Sequence, residues 1–188
     1  LAEPTMVAAD SWLVIDGAVL ALDAHRARFA AAVGEAVPAA ELAAFWDASL
    51  AAIPSDGVWF PRVELEKVRG APSVKGPDLA AMQRLRTAVQ PVGADEAVIV
   101  VGGAVVEGAY SALLWWRDGV LHAPPAASAR IPSVTAAQVI DLALEFGVEV
   151  REEAVAPSAL DGTEVWVCSA LHGIRVATAW VDGPALAV

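Results

Sequence analysis

A chain of 188 residues that is 57% hydrophobic carries enough apolar side chain for a sizeable core, which excludes disorder and allows one generous domain or two small ones. Twelve basic residues against 23 acidic ones give a formal net charge of −11, which repels phosphodiester backbones and anionic head groups and argues against nucleic acid or a membrane surface as partner. The most apolar run, AVIVVGGAVV at residues 97–106, is too short for a bilayer crossing, which needs roughly 20 residues.

In chain order, residues 12–14 and 18–22 flank Asp16-Gly17, the pair most typical of a two-residue hairpin turn. The pattern then turns helical at LDAHRARFAAAV, residues 22–33, where Asp23 is placed to cap and His25 and Arg28 stand one turn apart on a common face. Pro38 introduces a second helix at 39–52, carrying Leu42, Phe45, Trp46 and Leu50 and stopping before Pro54-Ser55-Asp56-Gly57. VWFPRVELEKV, 58–68, alternates enough for a strand, with Pro61 marking an edge. No period survives RGAPSVKGPD at 69–78, so a domain boundary is expected near Gly70, dividing the chain into 1–70 and 71–188.

Beyond Asp78, a candidate cap, a helix is predicted at 79–89, then strands at 97–101, 104–106, 112–116 and 120–122, the last two joined by the turn Arg117-Asp118-Gly119. Ser133-Val134-Thr135 opens a helix at 135–146 that Gly147 closes, and strands follow at 148–155, 164–168 and 175–181. Antiparallel hairpins dominate with a few helices on the sheet faces, so the expected class is α+β. The single cysteine, Cys168, lies in VWVCSAL and reads as a buried core residue; the absence of any internal disulfide fits a reducing cytoplasm, and no secretory signal is read in the first residues.

Four features bear on chemistry, each with a plain alternative. Lys75, between Val74 and Gly76, is either a solvated loop lysine or an amine with its ammonium desolvated into the range of a nucleophile. Glu107 closes an apolar strand before Gly108, as a surface charge or as a carboxylate facing the domain boundary. The amides of the Ser133-Val134-Thr135 helix start suit a phosphate, and ordinary capping explains them equally well. Arg28, with His25 beside it, reads as a solvated basic face or as a bidentate phosphate clamp.

The order of these features resembles one family. Lysine, helix, GADEAVIV, a short turn and VVEG are followed by SALLWWRDGVLHAPP, IPSVT, a helix ending in GVEV, VWVCSALHGIRV and a closing VDG. This series, running from about Asp10 to Gly183, is similar to the fold-type IV pyridoxal-phosphate enzymes, the class IV group of branched-chain and D-amino-acid aminotransferases and aminodeoxychorismate lyase. The resemblance implies a D-amino-acid aminotransferase-like fold of two small α/β domains, pyridoxal 5′-phosphate as cofactor, a small-molecule amino acid or aminodeoxychorismate as substrate, and a homodimer. It makes Lys75 the lysine of the internal aldimine and the acid/base at the substrate Cα, and Glu107 the partner of the pyridine nitrogen. Arg28, Val134 and Thr135 would hold the phosphate, with Ser169 and Ala170 near it and His25 orienting. Arg62, His172 and Arg175 are the candidates for the substrate side.

The chain departs from the family pattern at Ala112, where Asn is usual, at Ala136, where Arg is usual, and at Asp78, where Asn is frequent. Only four residues separate Gly70 from Lys75, so the N-terminal domain is expected to be abbreviated. Three activities remain open from the sequence: transamination, a lyase reaction releasing pyruvate and 4-aminobenzoate, and cofactor binding without turnover.

Overall fold

The computed structural model describes residues 5–67, 79–128 and 130–188. Two compact units emerge, Leu1–Asp78 and Leu79–Val188. The division expected near Gly70 falls in a stretch outside the described residues.

In the first unit β1 (Thr5–Ser11) is followed by the short strands β2 (Val14–Ile15) and β3 (Ala18–Val19), then α1 (Leu22–Val33), α2 (Ala39–Ala51), β4 (Val58–Trp59) and β5 (Arg62–Lys67). β1 and β5 form an antiparallel ribbon, and β3, β2 and β4 a second small sheet. The β2–β3 turn places Asp16 at φ 47° and Gly17 at φ 77°, the two positive values that a primed hairpin turn requires and that Asp-Gly supplies. Strand alternation sends Ala8, Asp10 and Trp12 inward together, all at most 3% exposed. Trp12 packs at a tilt against Trp46 of α2, ring centroids 4.9 Å apart, and Trp46 meets Phe29 of α1 edge-on at 5.7 Å, so these aromatic rings join both helices to the ribbon.

Two local expectations are corrected. Residues 58–68 are not one strand: the chain breaks at Phe60-Pro61, where proline has no N–H for a ladder, and β4 and β5 enter different sheets. The residue before α1 is Ala21, at φ 54° and without a side-chain cap, so Asp23 lies inside the first turn and contributes charge at the positive helix end.

The second unit opens with α3 (Leu79–Val89), then β6 (Val98–Val101), β7 (Ala104–Gly108), β8 (Ala112–Arg117), β9 (Val120–Ala123), α4 (Val134–Glu145), β10 (Val150–Glu152), β11 (Glu164–Ser169) and β12 (Gly173–Val176). Five strands form one sheet in the order β10-β9-β8-β11-β12, while β6 and β7 pair as a separate hairpin. β10 joins β9 in parallel, which needs a crossover, and α4 supplies it. The remaining neighbours are antiparallel, and the α+β class expected from the sequence is the one observed.

Alternation along β8 feeds two cores. Leu113 and Trp115 pack with Val105, Val155, Leu160 and Val165 on one face; Ala112 and Leu114 pack with Leu121, Ala123, Ala136 and Cys168 on the face that α4 covers. Cys168 is fully buried and burial pushes its thiol up to about 11, so it is the inert core residue its apolar setting suggested. β12 begins earlier than expected because a turn over residues 170–172 returns the chain directly along β11, pairing Ser169 with Gly173. Among the described residues no helix is long and apolar enough to cross a membrane.

Candidate cofactor site

β7 carries Glu107 opposite Ile99 into a buried position, 8% exposed. Its Oε2 accepts the Ile131 amide at 3.0 Å. Burial is the larger influence and pushes its pKa above the usual carboxylate value, against the opposing pull of the Ile131 amide and the charge of Arg130. The backbone directly after it is held by a second acid. Glu96 accepts from its neighbour's amide, Ala97 N–H, at 3.0 Å, from Tyr110 N–H at 3.3 Å and from the Ser111 hydroxyl at 2.8 Å. A Cβ on Gly108 would lie 2.2 Å from Ser111 Oγ, so no larger residue fits this turn as it stands.

Ile131 leads, two residues on, to the cap of α4. Ser133 Oγ accepts from the Ala136 amide at 3.2 Å, while the first-turn amides of Val134 and Thr135 have no carbonyl partner within the helix. The Glu107 bond ties β7 to the segment leading into α4. A cavity of about 200 Å³ nearby is walled by Val106, Arg130 and Ser133, and Glu107, Val134 and Thr135 are not part of its lining. Ala112 and Ala136, the two departures from the family pattern, also line it and are 6% and 3% exposed. Replacing the cap, Ser133→Ala, is expected to cost about 1 kcal/mol, read as a lower midpoint in urea.

Ser169 ends β11 and accepts the His172 amide at 3.2 Å, so Ser169, Ala170 and His172 belong to one turn, with His172 and Arg175 exposed. In the first unit, Arg62 is paired with Glu64 and lies 3.8 Å from the Met6 sulfur. Arg28 donates through Nε and Nη2 to Asp10, whose carboxylate also receives His25 Nδ1 at 2.9 Å. Burial on its own would raise the Asp10 pKa, but hydrogen bonds from His25 and Arg28 outweigh it and hold this carboxyl below its usual range. Lys75 and Asp78 lie outside the described residues.

Sequence reasoning passed over Asp10 and Glu96. A signal existed for Asp10, since an acid at an inward position of an alternating strand, two residues before a tryptophan, must meet a buried partner. Glu96 had no such signal: its three donors come from backbone and side chains whose meeting depends on the β6–β7 hairpin.

The family model described as amino-transferase class IV matches residues 56–180, about two thirds of the chain. Over 60 residues the chain is 42% identical to the branched-chain-amino-acid aminotransferases of Escherichia coli K12 and Salmonella typhimurium. That match spans 32% of this chain and only 19% of those relatives. Among solved structures, a branched-chain aminotransferase from Thermoproteus uzoniensis superposes with a TM-score of 0.79 at 16% identity, over 95% of this chain and 79% of that one. A putative 4-amino-4-deoxychorismate lyase gives 0.72 at 21% identity, over 94% and 88%. A hypothetical aminotransferase from Mycobacterium tuberculosis, in its PLP-bound form, gives 0.77 at 15% identity, over 97% and 81%. The fold is therefore that of the fold-type IV enzymes, and the chain belongs to the class IV aminotransferase family, whose members depend on pyridoxal phosphate.

Proposed function

We propose that the protein is a pyridoxal-phosphate-dependent aminotransferase that moves an amino group between an amino acid and a 2-oxo acid. The observation that carries this reading is the buried Glu107, whose carboxylate accepts the Ile131 amide two residues before the cap of α4, in a chain of this family. The donor set fits the cofactor. A carboxylate with one backbone donor suits a ring nitrogen that must stay protonated, and first-turn amides at a positive helix end suit a phosphate.

In this reading Glu107 holds the proton on the pyridine nitrogen, while the Val134 and Thr135 amides and the Thr135 hydroxyl bind the phosphate. Arg28 is the expected further phosphate cation, and Ser169 and Ala170 are expected near the phosphate. Lys75 Nζ anchors the cofactor and moves the proton at the substrate Cα. The bound cofactor supplies an electron sink for the charge left at that carbon. Arg62, Arg175 and His172 are assigned to substrate; Arg175 and His172 are exposed and would have to turn toward a carboxylate, and Arg62 would have to exchange Glu64 for one. The proposal includes a homodimer in a reducing cytoplasm, supported by the exposed Val58, Trp59 and Phe60 of the first unit.

Product analysis tests the reaction. Incubating cofactor-loaded protein with a panel of amino acids and no acceptor is expected to convert the cofactor to its pyridoxamine form. Pyruvate released from aminodeoxychorismate without an acceptor replaces this reading with the lyase. Cofactor that binds and is turned over by neither substrate class replaces both with a binding protein.

A further inference from the structure

Glu107 stands between two breaks in the ladder of β6 and β7. Before it, Ile99 faces Glu107 while Val100 faces Val105, so Val106 is left without an opposite residue. Such a bulge bends its strand and re-aims the side chains beside it. After it, the ladder ends at the Val98–Gly108 pair, and the chain turns through Ala109, Tyr110 and Ser111 into β8. Gly108 N–H donates to Ser111 O at 2.8 Å and Ala109 N–H to Ala97 O at 2.9 Å, which closes the base of this turn. Its tip is held by Glu96. Oε1 of that acid accepts the Ala97 amide, and Oε2 accepts both the Tyr110 amide and the Ser111 hydroxyl, so one carboxylate spans the entry to β6 and the exit from β7.

The geometry points to Glu96 as a positioning residue for Glu107. The Ile131 amide holds the tip of the Glu107 side chain at 3.0 Å, and the backbone end is set by what holds Gly108. A Cβ on Gly108 would collide with Ser111 Oγ and lie 3.0 Å from Glu96 Cγ, so the acid and its serine pack directly on the residue that follows Glu107. Three donors converge there on two oxygens, a demand that a carboxylate meets and an amide, with one oxygen and an NH₂ group, does not. An electrostatic partner is effective only where it is fixed before the charge arrives, and a displacement of about 1 Å is enough to lose much of its effect. Every residue of this arrangement belongs to the second unit. Glu96 touches neither substrate nor cofactor in this assignment; it acts through the turn and Glu107. The inference rests on Glu107 facing the ring nitrogen.

Two readouts separate placement from stability. In the cofactor-free full chain the Ile131 amide proton is followed by NMR at neutral pH, because its shift reports the bond to Glu107. Glu96→Gln keeps the shape but leaves one oxygen for three donors, and the Ile131 resonance is expected to move upfield as that bond lengthens. For the second readout, dissociation constants of pyridoxal 5′-phosphate and of its 1-deaza analogue, in which carbon replaces the ring nitrogen, are measured by quenching of tryptophan fluorescence. The wild type is expected to prefer the ligand that carries the nitrogen. Glu96→Gln is expected to reduce this preference roughly tenfold, and in a Glu107→Gln background to change it no further. Ser111→Ala removes one donor and leaves the acid in place; it is expected to move both readouts the same way by less, and it decides the matter if Glu96→Gln does not fold. A lower urea midpoint with the Ile131 resonance and the ligand preference both unmoved makes Glu96 purely structural and overturns the proposal. If Glu107→Gln itself leaves the preference untouched, the ring-nitrogen role of Glu107 fails, and the Ile131 resonance alone then decides whether Glu96 places Glu107.

Discussion

Lys75→Ala abolishes the visible absorbance of the cofactor-loaded protein and leaves its fold in place. The expectation follows from what the substitution removes and what it spares. It takes away the amine assigned to anchor the cofactor and to shuttle the proton at Cα, and positioned proton transfer alone contributes about 10²–10⁴-fold to rate. By sequence, Lys75 stands in RGAPSVKGPD, where no apolar period survives, so the exchange deletes no side chain expected in a core. Turnover should fall by at least that factor, the thermal midpoint should stay close to the parent's, and borohydride should fix no label. Pyridoxamine phosphate, which needs no lysine anchor, should still bind through the groups assigned to ring nitrogen and phosphate. Retention of a borohydride-fixable chromophore in the variant would remove Lys75 from the reaction.

Much of the fold was legible because it is written in local terms. The boundaries of α1 and α3 follow from apolar spacing and the chain's punctuation, and Asp16-Gly17 and Asp118-Gly119 take the positive φ values that their hairpins need. What could not be read is non-local. Nothing in a window around Arg28 announces that β1 passes beneath it with a buried acid, and nothing near Glu96 announces that Tyr110 and Ser111 return to it. The proline inside residues 58–68 was visible, yet whether it marks an edge or splits the run between two sheets depends on partners supplied from β1 and β2. Of the candidate site, the sequence indicated Glu107 and the α4 start as separate features. The bond from the Ile131 amide to Glu107, two residues before the α4 cap, depends on the path of the loop between β9 and α4. The paired losses at Ala112 and Ala136 were legible one by one, whereas the cavity they share was not.

Glu107→Gln should separate folding from function in opposite directions. Gln is nearly isosteric and its Oε can still accept the Ile131 amide, so the exchange deletes the charge and little else. The folded-state pKa of Glu107 lies above its ordinary value of 4.5, so the fold favours the protonated acid. A raised carboxyl pKa gives stability that is fully present below the unfolded value and is lost as pH rises through the folded one. Cofactor-free wild type therefore holds a disfavoured carboxylate at neutral pH, and the variant should melt at a higher temperature there, the difference closing as pH is lowered below about 4.5. Loaded with cofactor the order should reverse, because a carboxylate opposite a protonated ring nitrogen gains what the same carboxylate lacks alone. The variant should keep binding cofactor but lose about 10²-fold in turnover, the scale on which one preorganised electrostatic partner acts. Melting curves of both proteins, with and without cofactor across pH 4 to 8, read the sign of each effect. An unchanged rate would remove Glu107 from the ring nitrogen, and a variant less stable than wild type at neutral pH without cofactor would show that the carboxylate is held by more than Ile131 and Arg130. A site that is destabilising until its ligand arrives is the expected signature of a residue kept for chemistry rather than for packing.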